Sequence, residues 1–116
     1  MTDSNFGELV LVPFPFTDLN TLKKRPALIL SWVKSKTLPP LAIVAMVTSQ
    51  IDSENIVGDY PLRFWKEAGL LHPSKIRLSK VVSLEEKLIL RKMGILQEMD
   101  LKGIKKEFAK VFSKLL

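Results

Sequence analysis

Prolines punctuate the first fifty residues into three apolar runs, and that punctuation constrains the fold more than any other feature of the chain. Gly7–Phe14 (GELVLVPF) is rich in Val and Leu and reads as a strand. Pro13 and Pro15 end it, because proline has no N–H to donate to a sheet ladder. Phe16–Arg25 reads as a polar loop carrying three consecutive cations, Lys23, Lys24 and Arg25. Pro26–Val33 is the second run. Lys34–Pro40 is a loop closed by Pro39-Pro40, and Leu41–Ser49 (LAIVAMVTS) follows it. That third run is apolar at nearly every position, as in a strand buried on both faces, and leads into the polar triplet Thr48-Ser49-Gln50.

Downstream, Ile51–Gly58 reads as a polar loop, Asp59–Phe64 as a fourth strand, Trp65–Pro73 as irregular and Lys75–Val82 as a fifth strand. Ser83 and Glu86 match a capping box and predict a helical turn starting at Ser83. Leu88–Leu96 is a candidate sixth strand. Leu101, Ile104, Phe108, Val111 and Leu115 recur at spacings of 3 and 4, which marks one face of an amphipathic helix. Asp100 can cap its start. Lys102, Lys105, Lys106, Lys110 and Lys114 fall largely on the other face. Short strands followed by one terminal helix predict a small antiparallel barrel, α+β or mostly β, in a single domain spanning residues 1–116.

With 47% hydrophobic and 26% charged residues the composition is that of an ordinary globule. There is no cysteine, which excludes disulfides and thiolate metal sites. Met1–Asn5 is polar, unlike the start of a signal peptide. The longest apolar run falls far short of the ~20 residues that span a bilayer. A cytoplasmic protein without a membrane segment is expected. The net charge of +6 is concentrated late: from Ser74 onward eleven Lys/Arg face five Asp/Glu. That balance suits a polyanionic partner, whether nucleic acid, an anionic membrane surface or an acidic protein, and also suits plain solubility.

The available chemistry is narrow. A single histidine, His72, excludes a two-histidine acid–base pair within one subunit, and it sits before Pro73 where a structural role is expected. No nucleophile elbow of the G-x-S-x-G kind is present. The acids Asp52 with Glu54, and Glu85 with Glu86, sit in settings that suit loops and helix starts. Two constellations remain. Lys23-Lys24-Arg25 can bind phosphate, arginine by its planar fork and the lysines as point charges; the other reading is a solvated turn. Thr48-Ser49-Gln50 can place hydroxyl and amide groups at the rim of a barrel; the other reading is a strand terminus entering a loop.

The segment GELVLVPFPFTDLNTLKKRPALILS resembles the opening of MazF/PemK family toxins, and LAIVAMVTSQ resembles the second signature of that family. A weaker likeness runs from Gly69 through KIRLSKVVSLEEKLILRKMGIL to the terminal helix. Members are typically metal-independent endoribonucleases of single-stranded RNA, mostly messenger RNA. They are homodimers of a small SH3-like (CcdB/PemK-like) barrel, held in check by an acidic cognate antitoxin.

By that resemblance Arg25 and Thr48 match the two residues usually assigned to catalysis, and no cofactor is implied. The ribose 2′-hydroxyl would attack the adjacent phosphate, leaving a 2′,3′-cyclic phosphate and a 5′-hydroxyl. Arg25 suits electrostatic stabilisation better than proton abstraction, since its pKa exceeds 12. Lys23, Lys24, Ser49, Gln50 and Lys80 would hold neighbouring RNA groups. One departure stands out. Where many relatives carry an Asp-Gln-Ile-Arg-like segment, Ser79-Lys80-Val81-Val82 is read here, and Lys80 cannot supply a guanidinium fork. A gyrase-inhibiting toxin of related fold and a non-catalytic RNA-binding barrel are the rival expectations.

Overall fold

The computed structural model describes residues 6–14 and 23–115. The polar start, Pro15, positions 16–22 of the loop after it and the final residue lie outside the described residues. The elements in chain order are β1 (Glu8–Pro13), β2 (Lys24–Val33), β3 (Leu41–Thr48), β4 (Asp59–Pro61), β5 (Lys75–Glu85), β6 (Arg91–Ile95) and α1 (Glu98–Val111). A short 3-10 turn, Glu86–Leu88, links β5 to β6. The strands form one antiparallel sheet in the order β4-β5-β3-β2-β1-β6. The expected mostly-β architecture with a C-terminal helix is what the chain adopts.

The unbroken apolar runs have a direct cause: neighbouring residues on a strand point to opposite faces, and both faces are covered. Leu9, Leu28, Ala45, Val47, Ile76 and Leu78 pack with Ile104 of α1 in one core. Their neighbours Val10, Ala27, Ile29, Val44 and Leu84 build a second, against which Leu88 and Ile89 lie. The crossing from β5 to β6 covers that second face, and Leu90 donates its N–H to the Leu11 carbonyl at 2.8 Å.

Among the described residues the sheet does not close into a hydrogen-bonded ring. β4 and β6 remain its edges, and residues 62–70 carry the chain from one towards the other, with Leu62, Ala68 and Leu70 buried in the first core. The join needs glycine. A Cβ on Gly94 would stand 2.0 Å from the Ala68 carbonyl oxygen, and one on Gly69, whose φ is +94°, 2.5 Å from that of Met93. Backbone approaches backbone directly at this seam.

Several predicted boundaries move, each because a ladder or a distant partner outweighs a local signal. β2 begins at Lys24, and Lys24 and Arg25 pair with Pro13 and Val12 of β1 rather than ending a loop. β4 stops at Pro61, three residues before the predicted end. At Ser83 the chain stays extended: Ser83, Leu84 and Glu85 pair with Ile43, Ala42 and Leu41, and the capping box is not used. Asp100 does not cap α1, whose N-cap is Gln97. Its buried carboxylate instead accepts the Tyr60 hydroxyl at 2.8 Å and the N–H groups of Arg63 and Phe64 at 3.1 and 3.0 Å. Of the predicted helical face, Leu101, Ile104 and Val111 pack on the core, Phe108 is partly exposed at 36%, and Leu115 lies beyond the helix and is exposed. The lysines of α1 are exposed, and Lys102, Lys106 and Lys110 stand on its solvent side as expected, whereas Lys105 lies at the edge of the helix–sheet junction over the Phe6 ring. Among the described residues no helix is long and apolar enough to cross a membrane.

Candidate functional site

Strand alternation brings one row of polar side chains to one end of the sheet. β2 pairs with β3 through Ala27↔Met46 and Leu28↔Ala45, and the same register carried two residues further sets Arg25 beside Thr48. β3 pairs with β5 through Met46↔Arg77, and β5 with β4 through Arg77↔Asp59. Arg25, Thr48 and Arg77 thus come from three adjacent strands. They line one polar cavity of about 260 Å³ together with Phe14, Met46, Ser49, Gln50 and Lys80.

Local contacts hold these groups in place. The Arg25 guanidinium lies 5.8 Å from the centre of the Phe14 ring, a cation–π distance. Thr48 Oγ1 accepts the N–H of Gln50 at 3.1 Å, which leaves its own O–H to donate elsewhere. The Gln50 carbonyl accepts both the N–H and the hydroxyl of Ser53, fixing the turn after β3. Lys80 reaches the rim because β5 carries extra residues: the register with β3 shifts between Arg77 and Val81.

Arg77 is the residue that sequence reasoning missed. The guanidinium judged absent from residues 79–82 is supplied two positions upstream of that stretch, on the strand face that looks into the cavity. Asp59 holds it with two hydrogen bonds of 2.9 Å, Nε to Oδ1 and Nη2 to Oδ2. Burial alone would push the Asp59 carboxyl up. Hydrogen bonds from Arg77, the Ile56 N–H and Lys75 outweigh it and hold the group below the usual carboxylate range. The hydrogen bond to Asp59 in turn raises the pKa of Arg77, which stays a cation. The signal in the sequence was a pair of cations, Lys75 and Arg77, two apart on one face of a strand.

The remaining expected residues divide. Ser49, Gln50 and Lys80 line the cavity, whereas Lys23 and Lys24 are exposed and stand outside its lining. Alternation along β2 turns Lys24 to the face opposite Arg25. His72 is exposed, and its carbonyl accepts the Ser74 hydroxyl at 2.8 Å. A larger cavity, about 560 Å³, lies between α1 and the sheet and is lined by Phe6, Leu30, Ile43, Val81, Phe108 and Phe112 among others. Among the described residues it is almost wholly apolar, with Lys105 its one charged side chain. The smaller, cationic cavity is therefore the one equipped for chemistry on an anion.

Residues 5–112 match the family of PemK-like, MazF-like toxins of type II toxin–antitoxin systems. The fold is similar to that of the Mycobacterium tuberculosis toxin MazF-mt6, with a TM-score of 0.70 at 17% identity over 91% of this chain and 96% of that one. It is similar to an endoribonuclease from a mycobacterial species, solved in complex with its cognate antitoxin, with a TM-score of 0.70 at 12% identity over 96% of each chain. A MazE–MazF structure from Deinococcus radiodurans matches with a TM-score of 0.66 at 16% identity over 97% of each chain. At such identities the likeness is one of fold. No curated protein sequence matches the chain.

Proposed function

Because the chain belongs to the PemK-like, MazF-like toxins of type II toxin–antitoxin systems, we propose that it is a metal-independent endoribonuclease that cuts single-stranded RNA, messenger RNA foremost. The observation that carries this reading is the meeting of Arg25 and Thr48, from β2 and β3, at one cationic cavity.

RNA brings its own nucleophile, so the protein has to position a phosphate and stabilise charge. The 2′-oxygen attacks phosphorus and loses its proton, the P–O5′ bond breaks, and the 5′-oxygen takes up a proton. The products are a 2′,3′-cyclic phosphate and a 5′-hydroxyl. Arg25 donates to the phosphorane oxygens as negative charge builds, with Phe14 limiting its swing. The free O–H of Thr48 donates to the scissile phosphate. Ser49, Gln50 and Lys80 hold adjoining groups, and Arg77 adds a second fork for backbone phosphate. Lys23 and Lys24 lie outside the cavity and act on the flanking strand as solvent-exposed charges. Asp59 is a poor proton acceptor, since both its oxygens are engaged and its pKa is held low.

The protein acts in the cytoplasm as a homodimer of one toxin domain per chain, checked by an acidic cognate antitoxin that its net charge of +6 attracts. Single-turnover cleavage of single-stranded RNA in EDTA tests the reading. Cleavage by the wild type that falls by roughly 10² or more in Arg25→Ala supports it. Intact RNA alongside inhibited gyrase, or RNA bound and left uncut, overturns it in favour of a toxin without nuclease activity or a binding barrel.

A further inference from the structure

Behind the cavity sit two charges that the cleavage reading leaves without a task. The side chains of Lys75 and Asp59 are both 0% exposed, with Nζ 3.2 Å from Oδ2. Removing an ammonium from water is costly unless every donor finds a partner. Lys75 also donates to the carbonyls of Ser53 and Glu54 and to Asn55 Oδ1, at 3.2, 3.4 and 2.9 Å. Asp59 in turn engages Arg77 through Nε and Nη2. Those contacts occupy one edge of the guanidinium. Nη1 and the second hydrogen of Nη2 form the end-on fork and are left for another anion.

Charge decides what this cluster can do. An arginine paired with an aspartate is well oriented but electrically neutral, which makes it a weak receptor for phosphate. Lys75 adds a second cation against the single carboxylate, so the cluster of Asp59, Lys75 and Arg77 carries net positive charge. We propose that Asp59 and Lys75 are positioning residues for Arg77: Asp59 fixes the fork, and Lys75 restores the charge that Asp59 would otherwise cancel. Arg77 then meets an RNA phosphate both oriented and cationic. The proposal rests on the RNA-cleavage reading of the cavity. Through the carbonyls that Lys75 holds, the same device anchors the loop that follows Ser49 and Gln50.

The experiment compares Lys75→Met, Arg77→Lys and the double variant Asp59→Asn/Lys75→Met with the wild type. Single-turnover cleavage is read in EDTA, and binding of a 2′-O-methylated, uncleavable copy of the same RNA is read against salt. Lys75→Met should bind roughly tenfold more weakly, although a wholly buried side chain cannot touch RNA. The double variant regains the net charge, so its binding should recover while cleavage stays slow. Arg77→Lys should keep the salt dependence and lose rate. Binding unchanged in Lys75→Met, or a double variant that binds no better than the single one, overturns the proposal.

Should Lys75→Met fail to fold, the wild type still gives an answer by nitrogen-15 NMR. The Nε–H of Arg77 should exchange slowly in the free protein and stay unmoved when RNA is added, while its Nη resonances shift. A rapidly exchanging Nε–H overturns the proposal. A wild type that neither cuts nor binds RNA removes the cleavage reading instead, a result distinct from either.

Discussion

Asp100, in the first turn of α1, accepts the hydroxyl proton of Tyr60 at 2.8 Å across the junction between helix and sheet. The same carboxylate holds the backbone N–H groups of Arg63 and Phe64, so one buried side chain fixes the exit of β4. Asp100→Ala orphans three donors and should cost about 3 kcal/mol or more, whereas Tyr60→Phe removes a single hydrogen bond and should cost about 1 kcal/mol. Paired denaturant melts check the ratio. Burial first, and then the bond to Asp100, push the Tyr60 hydroxyl up to about 12. A raised pKa stabilises the fold below the unfolded value of about 10 and is lost as pH climbs through the folded one. Tyr60 is the only tyrosine, so ultraviolet titration reads it directly, and an ordinary midpoint in folded protein would contradict the buried bond.

Arg25→Ala should lower single-turnover cleavage by roughly 10²–10³ or more, by analogy with the loss of one oxyanion donor. Arg25 is exposed, so its removal should leave the melt nearly unchanged. Arg25→Lys should recover only part of the rate, keeping the charge and losing the fork. Thr48→Ala should act in the same direction, more mildly.

Asp59→Asn leaves Lys75 buried without its carboxylate and should destabilise the protein by about 3 kcal/mol at neutral pH. The Asp59 pKa is depressed, so its contribution is present above the unfolded carboxylate value of about 3.9 and drains away as pH falls through the folded value. The gap between wild type and variant should therefore narrow below about pH 4. Urea melts at neutral and acid pH measure it, and a gap that widens in acid would refute the sign.

Reversing Lys23 and Lys24 to Glu should weaken RNA binding at low salt and flatten its salt dependence. Both side chains are exposed and outside the cavity, so the single-turnover rate at saturating RNA should change little. A large fall in that saturated rate would place them in the reacting centre instead.

The apolar runs foretold the strands because hydrophobic pattern is a local signal, and here β1, β3 and the middle of β2 are buried on both faces. Arg25 and Thr48 each stand at the end of such a run, but the resemblance to MazF/PemK toxins is what singles them out, since the pattern alone suits a turn and a strand terminus as well. What escaped were features set by partners far along the chain. Nothing around Lys75 announces burial, since its carboxylate arrives from β4 and its carbonyls from the loop before it. Arg77 was passed over because the register shift in β5, invisible in the sequence, carries it and Lys80 to the same cavity. The capping signals at Ser83 and Asp100 were real local preferences, and longer-range pairing overrode both.

Burial on both faces has a consequence for how the sheet finds its alignment. In a sheet with one wet face, a slip of one residue exposes the apolar set and is penalised at once. Here, sliding β2 along β3 by one residue exchanges Ala27 and Ile29 for Leu28 and Leu30, one greasy row for another. Hydrophobicity alone discriminates weakly between those states, and the task falls to irregular features: the proline stops and the register shift near Ile29. A slipped chain could still collapse and still hide its core. It would separate Arg25 from Thr48, a molecule dense enough to pass for native and silent towards its substrate.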